Sequence, residues 1–491
     1  MNVAGIIEGH PDEAVALVAG DRTVTYGQLR RDVAGVQAGF ADLGLDVGDR
    51  IGIVAANTVE FVLGWLAAAR GGFVGVPLNP GSPVPELARE LAAVGARAVV
   101  CGPEGVTVCD DLDRTDLPVL EHVIGPEQLA ELTAREPAPP VERESTDLAV
   151  LMFTSGTAGS PRAAMLTHGN LLANLEQVQA SEGRRRGPDD VALAVLPLFH
   201  IFGLNVVLDG GLVAGSTVVL LDRFDPEAAL AAVVEHGVTD LTGPPTMWAG
   251  LAAAEGASPD AVATVERAAS GAAALGPEIR KAVQERLGIA LAEGYGLTET
   301  SPVVATGVGI DAPVGSVGRP LPGVQVRIVD PDGEDTYIGD AGEILVRGDN
   351  VFVGYWNDPE ATTNVLTEDG WLHTGDIGFA DEAGHVFLSD RAKDLVIVSG
   401  FNVYPAEVED VLVSHPAVKE AAVVGIPSDR TGEAVKAFVV LEPGAAAIGP
   451  DDLRGHTHGH LARYKCPAEI EIVDELPHGP GGKLLRRSLR G

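Results

Sequence analysis

The residues best equipped for chemistry lie close together. After the strand-like LAVLMF come Thr154, Ser155, Gly156, Thr157, Ala158 and Gly159, followed by Pro161 and Arg162. Glycines let backbone N–H groups crowd around an anion, hydroxyls donate further hydrogen bonds, and Arg162 adds a cation. That combination suits a polyphosphate. It is not a Walker A loop, because no Gly-Lys-Ser/Thr follows at the required spacing. Taken alone, a Gly/Ser/Thr run is equally an ordinary surface turn. Four more segments concentrate glycine with polar or charged residues: EGYGLTETSP (Glu293 to Pro302), GWLHTGDIG (Gly370 to Gly378), DRAKDLVIVSGFNVYPAEVE (Asp390 to Glu409) and LPHGPGGKLLRR (Leu476 to Arg487).

The elements that must position these segments alternate. TYGQLRRDVAGVQAGFADLG, TVEFVLGWLAAARGG and PEAALAAVVEHG have helical spacing, while RIGIVAAN, FVGVPLN, ARAVVCG and TVVLLD are short apolar strands. Apolar strands separated by helices predict an α/β fold of mostly parallel, doubly wound sheets, with ligands beyond the carboxyl ends of the strands. VALAVLPLFHIFGLNVVLDGG, broken by Pro197, His200, Gly203, Asn205 and Asp209, reads as a buried strand and loops. From about residue 305 the texture changes to alternating strands with Gly turns, GSVGRPLPGVQVRIVD, GEILVRG and HVFLSD, which predicts a β-rich subdomain. Beyond Asp390–Asp394 the pattern returns to mixed α/β. The expected division is a large N-terminal domain over 1–390, with its β-rich part at about 305–390, and a small α+β domain over 391–491.

At 491 residues the chain is too long for one ordinary core. Its net charge of −36, from 34 basic and 70 acidic side chains, repels phosphate backbones and argues against nucleic acid as a partner. Any phosphate must therefore be held by local N–H groups and a few cations. Cys101, Cys109 and Cys466 form no CxxC pair and no disulfide framework, which fits a reducing compartment. Neither a signal peptide nor a ~20-residue uninterrupted apolar span is visible, so a soluble, cytoplasmic protein is expected.

With all five motifs in order, from TYGQL at Thr25 to LLRR at Arg487, the sequence resembles the adenylate-forming superfamily of acyl-CoA synthetases, peptide-synthetase adenylation domains and beetle luciferases. The resemblance implies ATP-dependent activation of a carboxylic acid to acyl-AMP, then transfer to CoA, with Mg²⁺ as cofactor. It implies that Thr154, Ser155, Gly156, Thr157, Gly159 and Arg162 hold the β- and γ-phosphates. Glu299 would help ligate Mg²⁺, a hard cation that takes carboxylate oxygen. Asp376 would accept the ribose hydroxyls and Arg391 would pair with the ribose or phosphate region. Gly271, Ala272 and Ala273 would lie along the adenine, with Glu293, Gly294, Tyr295, Gly296 and Thr298 completing the nucleotide site. Lys483, on GPGGK, would sit between the carboxylate and the α-phosphate and stabilise charge developing during displacement. Lys393 would be the hinge about which the C-terminal domain rotates, presenting Ser399, Gly400 and Phe401 to a thiol channel.

The phosphate loop departs from the superfamily's usual SGTTGxPKG at Ala158, Arg162 and Ala163. Ala158 forfeits a hydroxyl, and Arg162 replaces a compact ammonium by a planar fork. For the acid, the expected pocket is His200, Gly203, Gly243, Thr246 and Gly296. LPLFHIFG lacks the Asp that would meet an amino acid's ammonium, and no local Arg stands ready for a second carboxylate. GYGLTETSPVV is most similar to the fatty-acid branch, so a medium- to long-chain fatty acid is the first expectation, with aryl or short branched acids as alternatives. CoA is the expected acceptor, with a carrier protein as the alternative. A non-catalytic nucleotide-binding paralogue is the competing class. His456, His458 and His460 alternate like metal ligands but read as solvated helix surface.

Overall fold

The structure is a computed structural model of the 491-residue chain. It describes all residues except 155–161, 182, 184, 392–395, 404, 443–447, 478–488, 490 and 491, and not the side chains of 389–391, 402 and 406. Two large sheets form its centre. In a six-stranded sheet the order is His122–Ile124, Ala98–Cys101, Arg50–Val54, Val74–Leu78, Leu148–Thr154 and Arg162–Thr167. All neighbours are parallel except the last pair. A nine-stranded sheet carries Ala292–Gly296, Arg267–Ser270, Asp240–Gly243, Val191–Ala194 and Thr217–Leu220 side by side and in parallel at its middle. Strands buried on both faces need apolar residues at every position, hence the unbroken runs.

The helix Val59–Arg70 shows why these sheets hold together. Thr58 caps it by accepting a hydrogen bond from the Phe61 N–H, and Phe61, Val62, Trp65, Leu66 and three alanines are buried all round it. A helix apolar on every face belongs in an interior. This one lies in the core that both sheets share. The Tyr26–Asp42 helix, capped by Thr25, packs against it.

A four-stranded antiparallel sheet follows, built from Gln325–Val329, Gly342–Arg347, Leu372–Ala380 and Val386–Arg391. The chain ends on a separate sheet, in which Phe401–Val403, Val396–Val398, Gly432–Leu441 and Val418–Ser428 are neighbours and Glu469–Ile472 adds to Gly432–Leu441. It has its own core around Val423, Val439 and Leu453. The expected strands and helices are found in all these regions.

The VALAVLPLFHIFGLNVVLDGG segment is the exception. Only Val191–Ala194 is a strand. After a turn, Phe202–Asp209 forms a π-helix that runs into the short helix Gly210–Val213. Pro197 ends the strand, and a Cβ at Gly203 would come 2.3 Å from the Pro197 carbonyl oxygen, so the helix starts tight against the turn. The wider π turn is a local feature that apolar periodicity does not reveal. Among the described residues no helix is long and apolar enough to cross a membrane.

Candidate active site

One cavity runs along the Arg267–Ser270 strand and reaches past its carboxyl end. Gly271 and Ala272 follow Arg267–Ser270, Gly294 to Thr298 follow and end Ala292–Gly296, and His200 to Phe202 come from the π-helix region; all border it, as does Gly400 from the C-terminal sheet. It encloses about 140 Å³, near the ~150 Å³ that accommodates a benzene ring.

The carboxylate expected at the ribose is firmly set. Asp376 lies on Leu372–Ala380, 6% exposed, beside a Gly375 with φ of +71°. Its N–H donates to Thr374 Oγ1, and the Gly375 N–H donates to Glu343. The Tyr295 hydroxyl donates to Asp376 Oδ2 at 2.7 Å, so two motifs 81 positions apart meet in one hydrogen bond. The Arg391 backbone pairs directly opposite Asp376; its side chain lies outside the described residues.

A second group forms around Tyr355, which the motifs did not single out. Its hydroxyl donates to Glu299 Oε1 at 2.7 Å, while Arg162 lies over its ring at 5.7 Å and donates from Nε to Asp358 at 3.0 Å. Thr154 ends the Leu148–Thr154 strand opposite Arg162. Glu299, Arg162 and Thr154 thus gather at one edge. Ser155, Gly156, Thr157, Gly159, Lys393 and Lys483 lie outside the described residues. Glu293 points elsewhere: it is bound by Arg280 and the Leu275 N–H, and burial pushes its pKa up despite that arginine. It braces the strand end rather than facing the cavity.

The acid-side residues divide likewise. His200 and Gly296 line the cavity; Gly203, Gly243, Thr246 and Ala273 are not among its walls. A Cβ at Gly243 would sit 2.2 Å from Met247 sulfur, so that glycine serves packing. Burial lowers the His200 pKa to about 4, so its ring is neutral, and its Nδ1 accepts from the Phe202 N–H. Phe401 stacks on Tyr464 at 4.4 Å and meets His200 edge-on. Ser399 has a φ of +52° and Gly400 one of +85°.

The expectation that no arginine stands near is corrected. Arg185, Arg186 and Arg267 all border the cavity. They come from the segment before Val191–Ala194 and from the first position of Arg267–Ser270, at the amino ends of strands, whereas the motifs mark the carboxyl ends. Among the described residues no group of three or more His, Cys, Asp or Glu could hold a metal ion, which includes the His456–His460 stretch. His456 instead packs on His460 and His415.

The AMP-binding enzyme family matches residues 5–356, and the AMP-binding enzyme C-terminal domain matches 407–483. A feruloyl-CoA synthase of Amycolatopsis sp is 37% identical over 97% of this chain and 95% of its own. A 4-coumarate–CoA ligase 5 of Oryza sativa subsp. japonica is 35% identical, covering 95% and 89%. A long-chain-fatty-acid–CoA ligase of Bacillus subtilis (strain 168) is 33% identical, covering 98% and 91%. Among solved structures, the amide bond synthetase McbA from Marinactinospora thermotolerans superposes with a TM-score of 0.88 at 33% identity, covering 100% and 99%. The motifs, the strand-end cavity and these matches agree: the chain belongs to the AMP-binding enzyme family and is an adenylate-forming acid–CoA ligase.

Proposed function

We propose that the chain activates an aryl carboxylic acid of phenylpropanoid size with ATP, releasing pyrophosphate, and then transfers the acyl group from AMP to CoA. The observation that carries this reading is that one cavity is bordered at once by Tyr295 of the nucleotide motif, by His200 and Phe202, and by Gly400 of the C-terminal sheet. A fatty acid, the first expectation, fits less well. Its alkyl end would lie against the charged groups of Arg186 and Arg267, where an apolar chain finds few apolar partners. The resemblance to feruloyl- and 4-coumarate–CoA ligases also favours an aryl acid.

In the first half-reaction Asp376, oriented by Tyr295, takes the ribose hydroxyls, and Arg162 with the Thr154–Gly159 segment meets the phosphates. Lys483 approaches the α-phosphate and stabilises the displacement, with Arg391 beside the nucleotide. Mg²⁺ fits the donors present: Glu299 supplies a hard carboxylate oxygen, substrate phosphates would supply others, and the ion would offset phosphate charge. In the second half-reaction the C-terminal domain, turned about Lys393, presents Ser399, Gly400 and Phe401 along the thiol path. The contacts of Gly400 and Phe401 with the cavity are consistent with that orientation.

Mass spectrometry of mixtures of ATP, Mg²⁺, CoA and a panel of acids tests this. Ferulic and 4-coumaric acids are expected to give acyl-CoA and AMP in equal amounts. Acyl-AMP formation without CoA consumption would reassign the acceptor, and preferential use of palmitate would overturn the aryl reading.

A further inference from the structure

Building on that reading, we infer that Arg186, with Arg267 beside it, receives a second anionic group carried by the substrate at the end remote from the nucleotide. The preferred substrate is then an aryl acid with an acidic substituent distal to the carboxylate being activated. Arg267 opens the Arg267–Ser270 strand and Gly271 follows its far end. Four steps of about 3.3 Å separate them by roughly 13 Å, enough for a substituted cinnamic acid.

Three observations define this end of the cavity. Asp240, 3% exposed, accepts from Arg186 Nε at 2.5 Å and from Arg267 Nη1 at 2.9 Å, so both guanidiniums are fixed. Arg186 also donates from Nη1 to the Val206 carbonyl, while its Nη2 has no hydrogen-bond partner among the described residues. Next, Gly210 makes room: a Cβ there would lie 2.3 Å from Arg186 Nη1. Finally, the described walls hold Arg185, Arg186 and Arg267 but no Asp or Glu, in a chain where acidic side chains outnumber basic ones 70 to 34. A guanidinium fork with a spare N–H edge, held in a mostly apolar cavity, is suited to a carboxylate or sulfonate.

The test compares 4-sulfocinnamic acid with cinnamic acid, each having a single carboxylate to activate, in acyl-CoA formation by the full-length protein. A charge-assisted hydrogen bond predicts roughly tenfold to hundredfold higher kcat/KM for the sulfonate. Arg186→Gln should abolish that preference, bringing the ratio of the two acids' kcat/KM close to one through the KM of the sulfonate, and Gly210→Ala should weaken it by displacing the guanidinium. Arg186→Lys should restore part of it. If neither variant folds, the comparison on the parent protein decides alone. Cinnamic acid used as well as, or better than, its sulfonate overturns the inference while leaving the ligase reading intact. Failure with every acid tried overturns both.

Discussion

Tyr295 and Asp376 carry the clearest single contact in the site. Their hydrogen bond was invisible in the sequence, because each residue sits in its own motif and only folding brings them within 2.7 Å. Tyr295→Phe keeps the ring and loses the donor, so KM for ATP should rise roughly threefold to tenfold with kcat little changed, as steady-state kinetics would show. Asp209 is a different case, a carboxyl sunk in the core with Trp65 Nε1 donating to it at 3.0 Å. Burial raises its pKa to about 7 from the usual 3.8. The neutral acid is therefore the favoured folded form, and its contribution to stability is complete below pH 3.8 and lost as pH rises towards 7. Asp209→Asn should remove that loss: melting curves of parent and variant should converge at low pH, with the variant the more stable near neutrality. A parallel pair of Tm–pH profiles would contradict the assignment.

At the scale of elements, strands and helices with clean periodicity were legible, and so was the position of the motifs at strand ends. Two things were not. The π turn of Phe202–Asp209 depends on how Gly203 meets Pro197, a tertiary contact with no periodic trace. The arginines of the cavity enter from the amino ends of strands, and no glycine-rich signal marks those. The turn at Gly400 is the element most exposed to test. Its φ of +85° suits glycine, and a Cβ there would lie 2.9 Å from Pro244. Gly400→Ala should slow transfer to CoA about tenfold or more, since an L side chain resists that backbone and crowds the channel. Pyrophosphate exchange, which needs no CoA, should stay within about twofold of the parent.

Across the whole molecule, the C-terminal sheet is fastened to the large domain by a buried charge cluster that no motif announced. Lys465 Nζ donates to Glu407 at 2.8 Å within its own domain and to Glu86 at 2.5 Å across the boundary, and Glu86 also accepts from the Ala462 N–H. Burial works against the ammonium, yet the surrounding Tyr464 and carboxylates keep its pKa well raised, so it stays charged. Glu90 beside them is pushed by burial, and by Glu86, up to about 8. Removing one partner of such a cluster typically costs about 3–5 kcal/mol. Lys465→Met should therefore lower Tm by several degrees and depress CoA transfer more than adenylation, because the cluster holds the orientation in which Gly400 borders the cavity. Equal loss in both steps would assign it to general stability alone.

In the proposed mechanism one ammonium, that of Lys483, serves one half-reaction. Lys483→Ala, assayed separately for ATP–pyrophosphate exchange and for thioester formation from supplied acyl-AMP and CoA, tests it most directly. Exchange should vanish while thioester formation continues near the parent rate; an equal fall in both would contradict the division of labour between the two domain orientations.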